Sequence, residues 1–238
     1  MSDVDDRPEE TKAEKAPLRP LPLRLVDAIV SPGRMARTVA DNPRWLGAML
    51  VSAVLLALSI GLLPYELVEE MQRRAAVQAG RPVPEITERA QTIIRVFTIV
   101  GPLVAFVVMS FIIAAVTTFI FAFVLGDEGT YTQYLAVGVH AAVISGLVGL
   151  LLIPMRIAAS DMQLTINVAT FLPFLPDGFW YNFFRAMDVS QIWSSLVTAV
   201  GIHAIDPKRS FGSAAAILLS MLVALAALGG WFLTRQGL

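Results

Sequence analysis

Long uncharged segments alternate with short charged ones along most of the chain. The first uncharged run, WLGAMLVSAVLLALSIGLLPY, has 21 residues and lies between Arg44 and Glu66. A helix of that length rises about 30 Å, which matches the hydrocarbon thickness of a bilayer. The second run is too long for an upright span and must tilt or begin outside the membrane. The pattern predicts an all-α polytopic membrane protein with five transmembrane helices, at about 45–65, 97–125, 131–155, 189–205 and 211–234.

The first 43 residues differ from the rest in composition. Residues 1–22 combine acids, bases and four prolines with few apolar side chains, which is typical of a disordered tail. Residues 23–43 are predicted to form two short amphipathic helices at the membrane interface. Residues 44–238 form the predicted transmembrane domain.

The pattern of residues 23–43 leaves two interpretations open. Apolar pairs four residues apart, Leu25 with Ile29 and Val26 with Val30, suit a helix that lies in the headgroup layer. The same pattern suits a short packed connector whose arginines are solvated. On the first interpretation four arginines contact lipid headgroups, namely Arg24, Arg34, Arg37 and Arg44.

Composition supports this fold class and excludes several functions. Of the 238 residues 56% are hydrophobic and 16% charged, whereas soluble domains carry about 25% charged residues, so a water-soluble globule is excluded. The formal net charge of -1 provides no basic field for nucleic acid. The lack of cysteine excludes disulfides, thiol catalysis and Cys-ligated metal centres. We therefore predict a lipid-bilayer environment and no nucleic-acid partner.

The distribution of Lys and Arg predicts an orientation. With five spans and the N-terminus inside, ten basic residues lie on the inner side and eight on the outer side. Basic residues favour the cytoplasmic side of a membrane. We therefore predict a multi-pass protein of the cytoplasmic (inner) membrane, with its N-terminus in the cytoplasm and its C-terminus in the periplasm.

Candidate chemistry within the spans is limited to a few residues. His140 and His203 lie at different depths of their spans, which disfavours joint haem ligation. An intramembrane histidine is a functional-site candidate, and for His140 the alternative is a neutral interhelical hydrogen bond to Thr117 or Thr118. Asp188 opens the fourth span and is predicted to cap that helix rather than to bind an ion. The sequence has no nucleotide, zinc-protease or serine-hydrolase motif, so we predict no enzyme activity, no metal and no cofactor.

Small residues recur every four positions in two of the spans. In the third span Ala141, Ser145 and Gly149 predict a face for close helix contact. The fifth span carries a comparable set, which consists of Ala216, Ser220, Ala224, Ala226 and Gly230. Either set can build the bundle of the monomer or hold a partner.

An aromatic segment precedes the fourth span. Residues 171–184, FLPFLPDGFWYNFF, are interrupted by two prolines and a glycine and are too irregular to span the membrane. We predict an interfacial or re-entrant segment, with Trp180 and Tyr181 at the level of the lipid headgroups.

Four stretches of sequence carry a family resemblance. They are SPGRMARTVADNPRW, GDEGTYTQYLAVGVHAAVI, FLPFLPDGFWYNFFRAMDVSQIWSSLVTAVGI and SFGSAAAI. The best signature within them is Asp188, Ile192-Trp193 and Gly201-Ile202. Through these stretches the chain resembles the bacterial branch of the Yip domain family, the Ypt/Rab-interacting membrane proteins, over about residues 24–234. The resemblance implies five spans with a cytoplasmic N-terminus. Together with His140, the signature residues Asp188, Trp193 and Gly201 are the candidate functional or packing residues.

The resemblance also bears on function. Eukaryotic members that the chain resembles act in vesicle traffic by binding prenylated small GTPases and sibling Yip proteins. Nothing in the sequence indicates a Rab-containing host, so the resemblance does not imply that role for this chain. What the resemblance implies is a non-catalytic membrane adaptor or scaffold that associates with itself or with other membrane-complex subunits. The alternative is a small transporter or lipid-handling protein with a path near His140.

Overall fold

The computed structural model describes residues 18–78, 80, 82 and 87–235. Most of the tail predicted to be disordered, residues 1–22, lies outside this part of the chain. Within the described residues the fold is a bundle of ten α-helices. They are α1 (Leu21–Val30), α2 (Pro32–Asp41), α3 (Leu46–Gly61), α4 (Tyr65–Gln78), α5 (Glu88–Thr118), α6 (Tyr131–Leu151), α7 (Ile153–Ala159), α8 (Phe179–Arg185), α9 (Val189–Ile205) and α10 (Phe211–Arg235).

The predicted all-helical membrane fold is confirmed, although five spans are not established. By length and apolarity three helices can cross a membrane, namely α5, α6 and α10. A fourth span results if α3 and the first part of α4 act together, although the chain bends by 77° between them. Helix α9 occupies the predicted range 189–205 but has only 17 residues. The number of five spans therefore stays a prediction.

Two predicted spans have different bounds in the structure. A π-helical turn, Phe119–Val124, extends α5 into one continuous helix of 37 residues. It rises about 55 Å, so its first turns project beyond a bilayer core. The third span was predicted to reach residue 155 but ends at Leu151, because Pro154 stands in the first turn of α7. Proline cannot continue a helix but fits its first turn.

Helix α6 is the centre of the bundle. It packs against α3, α5 and α9, and α1 and α2 also contact it. Helix α3 runs parallel to α6, and the Ser52 hydroxyl donates a hydrogen bond to the Val139 carbonyl at 3.2 Å. Helix α5 lies at the periphery, with only 6% of its most apolar window buried against 56% for α6. Most of α5 therefore faces the surroundings of the bundle.

Side-chain hydrogen bonds show which connections between helices lie at the same end of the bundle. At one end the Gln133 amide donates to the carbonyl of Ala40, at the end of α2, at 2.8 Å. At the other end Asn182 of α8 donates to Thr234 of α10 at 3.2 Å. The N-terminal helices and the end of α10 are thus on opposite ends of the bundle. The predicted five membrane spans would also place these two parts of the chain at opposite ends.

Helix α8 packs directly against the last turns of α10. A Cβ atom on Gly230 would lie 2.8 Å from the backbone nitrogen of Phe183 and 2.9 Å from its Cα. A backbone cannot move aside as a flexible side chain can. The close approach of α8 to α10 therefore requires glycine at position 230.

We predict that Gly230→Ala destabilises the protein by about 1–3 kcal/mol, because an added methyl group overpacks this contact. Thermal unfolding of the full chain in a mild detergent measures the effect. Gly229→Ala is the matched control, since its Cβ would meet the Ala186 Cβ only at 4.0 Å. It should be neutral or slightly stabilising, because alanine favours the helix. Equal effects of the two substitutions would contradict the close contact.

Candidate functional site

A chain of serine hydroxyls joins α6 to α9. Ser190 donates to the Asp188 carboxylate at 2.6 Å and lies 3.1 Å from the Ser145 hydroxyl. The Ser190 hydroxyl is the donor in both contacts, and because a serine has one hydroxyl proton it donates to one of the two oxygens at a time. Ser194 donates to the carbonyl of Ala141 at 3.1 Å and lies 3.4 Å from Ser145. We call Asp188, Ser190, Ser145 and Ser194 the hydroxyl ladder.

Asp188 ends the ladder at the start of α9. Its carboxylate accepts the backbone N–H of Ser190 at 2.7 Å, so it caps the helix as predicted. Two backbone hydrogen bonds hold the residues on either side of it: Val168 N–H donates to Met187, and Val189 N–H donates to Ile166. The carboxylate is thereby fixed toward the helix end that it caps.

His140 lies on α6 and is completely buried. Its Nδ1 lies 2.7 Å from the carbonyl of Ala136 in the same helix, so Nδ1 carries the proton. Within the described chain Nε2 has no hydrogen-bond partner. The predicted bond to Thr117 or Thr118 is wrong, because both threonine hydroxyls donate to carbonyls four residues earlier in α5. Packing within the bundle, rather than an interhelical hydrogen bond, surrounds the imidazole.

The two other candidate residues of the signature, Trp193 and Gly201, have different environments. Gly201 lies where α9 comes closest to α6, and a Cβ at this position would collide with the side chain of Val137. Trp193, by contrast, is 47% exposed on the outside of α9. Gly201 therefore acts in helix packing, whereas Trp193 is available to the surroundings of the bundle.

The predicted small-residue face of α6 is divided between two neighbours. Ala141 and Ser145 face α9 through the hydroxyl ladder. Gly149 faces α3 instead, where a Cβ added at this position would lie 3.2 Å from the Cβ of Ser59. A four-residue repeat drifts around a helix that has 3.6 residues per turn. These small residues thus serve contacts within the monomer.

The four N-terminal arginines predicted to contact lipid headgroups do not share one environment. Arg34, Arg37 and Arg44 are exposed. Arg24 is only 5% exposed and donates to the backbone carbonyl of Arg44 at 3.2 Å. Burial, with the nearby charge of Arg44, lowers the pKa of the Arg24 guanidinium. The prediction of a headgroup contact for Arg24 is corrected by this burial, since the side chain faces the protein.

Asp27 makes buried ion pairs that the sequence did not predict. It is 3% exposed, and its carboxylate lies 2.9 Å from the guanidinium of Arg19 and 3.3 Å from that of Arg34. Asp27 therefore links α1 to the chain on both sides of it. The sequence contained one signal for this role, because Asp27 lies three residues after Arg24 and therefore on the same face of α1.

A second missed feature joins two connections at one end of the bundle. The Arg209 guanidinium forms hydrogen bonds of 2.7–3.2 Å with the carboxylate of Asp127. The Asp206 carboxylate accepts the N–H groups of Glu128 and Lys208, and these bonds lower its pKa. We call Asp127, Asp206 and Arg209 the charge clamp. The sequence did contain a signal for the charge clamp, because the acidic turn 126–130 and the basic turn 206–210 lie on the same predicted side of the membrane.

The aromatic segment lies at the other end. Trp180 is 61% exposed, and Tyr181 is half-buried. Trp180 contacts Phe179 and Phe183 edge to face, with ring centroids 5.2 Å and 5.9 Å apart. The predicted position of Trp180 and Tyr181 at headgroup level stays a prediction.

The described residues offer hydrogen bonds and packing rather than a set of converging reactive groups. Among them no three His, Asp or Glu side chains are placed to hold a metal ion. The ladder carboxylate is occupied by the cap of α9, and the clamp carboxylates are occupied by Arg209 and backbone N–H groups. The carboxylates of the ladder and the clamp are therefore engaged in contacts within the monomer.

A family model, the Yip1 domain, matches residues 26–233. The match begins within α1 and ends within α10, so it includes the hydroxyl ladder, the charge clamp and His140. No curated protein sequence and no solved structure matches the chain.

We predict that Ser190→Ala destabilises the protein by about 1 kcal/mol, because interhelical hydrogen bonds in membrane bundles contribute about that much. Ser195→Ala is the matched control, since the Ser195 hydroxyl donates to Gln191 within the same helix at 2.8 Å. Unfolding in detergent compares the two variants. A loss for Ser195→Ala as large as that for Ser190→Ala would argue against the ladder.

A second pair of variants tests the charge clamp. Arg209→Met leaves the buried Asp127 without its partner and should cost about 3 kcal/mol. Lys208→Met breaks the neighbouring pair with Glu128, whose side chains are 78% and 74% exposed, and should cost less than about 1 kcal/mol. The same unfolding measurement applies. Similar losses of unfolding free energy in the two variants would show that the buried pair of Asp127 and Arg209 stabilises the protein no more than the exposed pair does.

Proposed function

The chain belongs to the Yip1 domain family of multi-pass membrane proteins, and on that premise we propose that it is a non-catalytic adaptor or scaffold. In this role it associates through helix surfaces with a second copy or with other subunits of a membrane complex. The protein lies in the bilayer, where it binds other proteins and does not catalyse a reaction.

The observation that carries the proposal is the outward face of α10. Ala216, Ser220 and Ala224 are exposed at intervals of four residues, and Gly212 precedes them on the same stripe. The remaining two residues of the predicted small set, Ala226 and Gly230, are buried within the monomer. In a membrane small residues let helix backbones approach closely, and such stripes are favoured at helix contacts.

The use of polar groups inside the bundle supports a structural role. The ladder and the clamp engage their carboxylates in hydrogen bonds within the monomer. His140 is completely buried, with Nδ1 bound to a backbone carbonyl. These facts favour the scaffold over the alternative, a transporter or lipid-handling protein with a path near His140, since a path requires access to that side chain.

We place the protein in the cytoplasmic membrane of a bacterium, with the N-terminus in the cytoplasm and the C-terminus in the periplasm. The concentration of Arg24, Arg34, Arg37 and Arg44 before the first span supports this orientation. The position of the N-terminal helices and the end of α10 at opposite ends of the bundle agrees with it.

We predict that a photo-crosslinker attached to Ser220→Cys captures a second copy or one defined membrane protein in native membranes. The chain has no native cysteine, so each variant carries a single thiol. Leu225→Cys is the control, because Leu225 is 65% exposed on another face of the same helix. Mass spectrometry identifies the products.

The same partner captured from Ala216→Cys and Ser220→Cys, but not from Leu225→Cys, is the expected result. A protein that stays monomeric and without crosslinks at all three positions, in membranes and in mild detergent, would contradict the scaffold.

A further inference from the structure

The polarity of α1 is the reverse of that expected for a helix on a soluble protein. Its buried residues are Arg24, Asp27 and Ala28. Its exposed face consists of large apolar side chains, namely Leu23 (46% exposed), Val26 (53%), Ile29 (39%) and Val30 (69%). A soluble protein would place these apolar side chains inside. An exposed and contiguous apolar face marks a surface that meets another apolar phase.

Polar contacts fix α1 in this orientation. Arg24 donates to the Arg44 carbonyl beneath the helix, and Asp27 pairs with Arg19 and Arg34. A rotation of α1 that buried Val26 and Val30 would break both sets of contacts. The loss of a buried charge partner is costly, so the apolar face stays outward.

The position of α1 places that face beside the membrane surface of the bundle. Leu21 packs against the first turn of α3, where its Cδ2 would lie 2.8 Å from a Cβ on Gly47. From this turn onward α3 exposes apolar side chains to the outside, at Leu46, Leu50, Val54 and Leu58. The outward face of α1 is therefore next to the point where the surface of the bundle becomes apolar.

Helix α2 supplies the charge that accompanies this surface. Its apolar residues Met35 and Val39 are completely buried, whereas Arg37 is exposed. Arg44 is exposed at the end of the connection to α3. An exposed apolar face together with exposed arginines in the following helix and connection is complementary to a leaflet with anionic headgroups.

We propose that α1 is an in-plane membrane anchor whose outward face lies in the acyl-chain region of the adjacent leaflet, with Arg37 and Arg44 on phosphates of anionic lipids. The two helices divide the roles that the sequence left open: α2 is the packed connector and α1 is the interfacial helix. The anchor does not depend on whether the protein acts as a scaffold.

The test uses the full chain in nanodiscs of phosphatidylcholine mixed with phosphatidylglycerol. A fluorescent probe on Val26→Cys reports the surroundings of α1, and the same probe on Arg37→Cys reports those of α2. We expect a nitroxide on the lipid acyl chain to quench the Val26 probe more strongly than the Arg37 probe. Iodide in the aqueous phase should show the reverse order.

Two results would overturn the proposal. A Val26 probe quenched by iodide and not by the acyl-chain nitroxide would place α1 in water. A Val26 probe shielded from both quenchers would place another protein on this face. Circular dichroism and elution as a single species confirm that each labelled variant is folded.

The lipid contact of the arginines has its own measurement. A second probe, on Val30→Cys, is quenched by nitroxide attached to either phosphatidylglycerol or phosphatidylcholine, and the ratio of the two reports enrichment of the anionic lipid. Arg37→Gln should lower that ratio by about fivefold, because one basic residue near an anionic leaflet has an effect of that order. Arg89→Gln, an exposed arginine at the start of α5, is the control and should leave the ratio unchanged. An unchanged ratio in Arg37→Gln would refute the phosphate contact.

Discussion

The close contact between α6 and α9 is the constraint on which the rest of the bundle depends. Between helices in lipid there is little hydrophobic driving force, so association relies on close packing and on interhelical hydrogen bonds. Gly201 against Val137 provides the close packing, and the hydroxyl ladder provides the hydrogen bonds. Helices α2 and α10 pack against α9, and α3 and α5 pack against α6. Each of these four helices is thus positioned by one of the two central ones.

The two ends of the bundle are closed by different interactions. At the end that carries α1 and α2, the charge clamp and the Gln133 contact join connections that are far apart in sequence. At the other end Gly230 admits the backbone of α8, and rings stack around Trp180. Paired charges keep the first end polar and ordered near water, while aromatic packing suits an interface with lipid.

The sequence predicted best what local signals determine. Helix α9 occupies the predicted range because Asp188 caps its start and Asp206 follows its end. The third span ended early because Pro154 begins a new helix, a signal that the hydropathy pattern concealed. The partner of His140 and the burial of Arg24 depend on which face of a helix meets a neighbour. Periodicity shows that faces exist but does not say which neighbour each one meets. Pairing between Asp127 and Arg209, 82 residues apart, required the tertiary arrangement in the same way.

Helix α1 shows why an amphipathic pattern in a membrane protein has two solutions. In water the apolar face must turn inward, so the exposed face is polar. Beside a bilayer the apolar face can turn outward, provided that the polar side chains find partners inside. Arg24 and Asp27 have such partners, in a backbone carbonyl and in two flanking arginines. In α2 the same choice is resolved the other way, because Met35 and Val39 fill the core beside α6 and α9. Two successive amphipathic helices therefore take opposite orientations: α1 turns its apolar face outward because Arg24 and Asp27 have partners inside, whereas α2 turns its apolar side chains into the core.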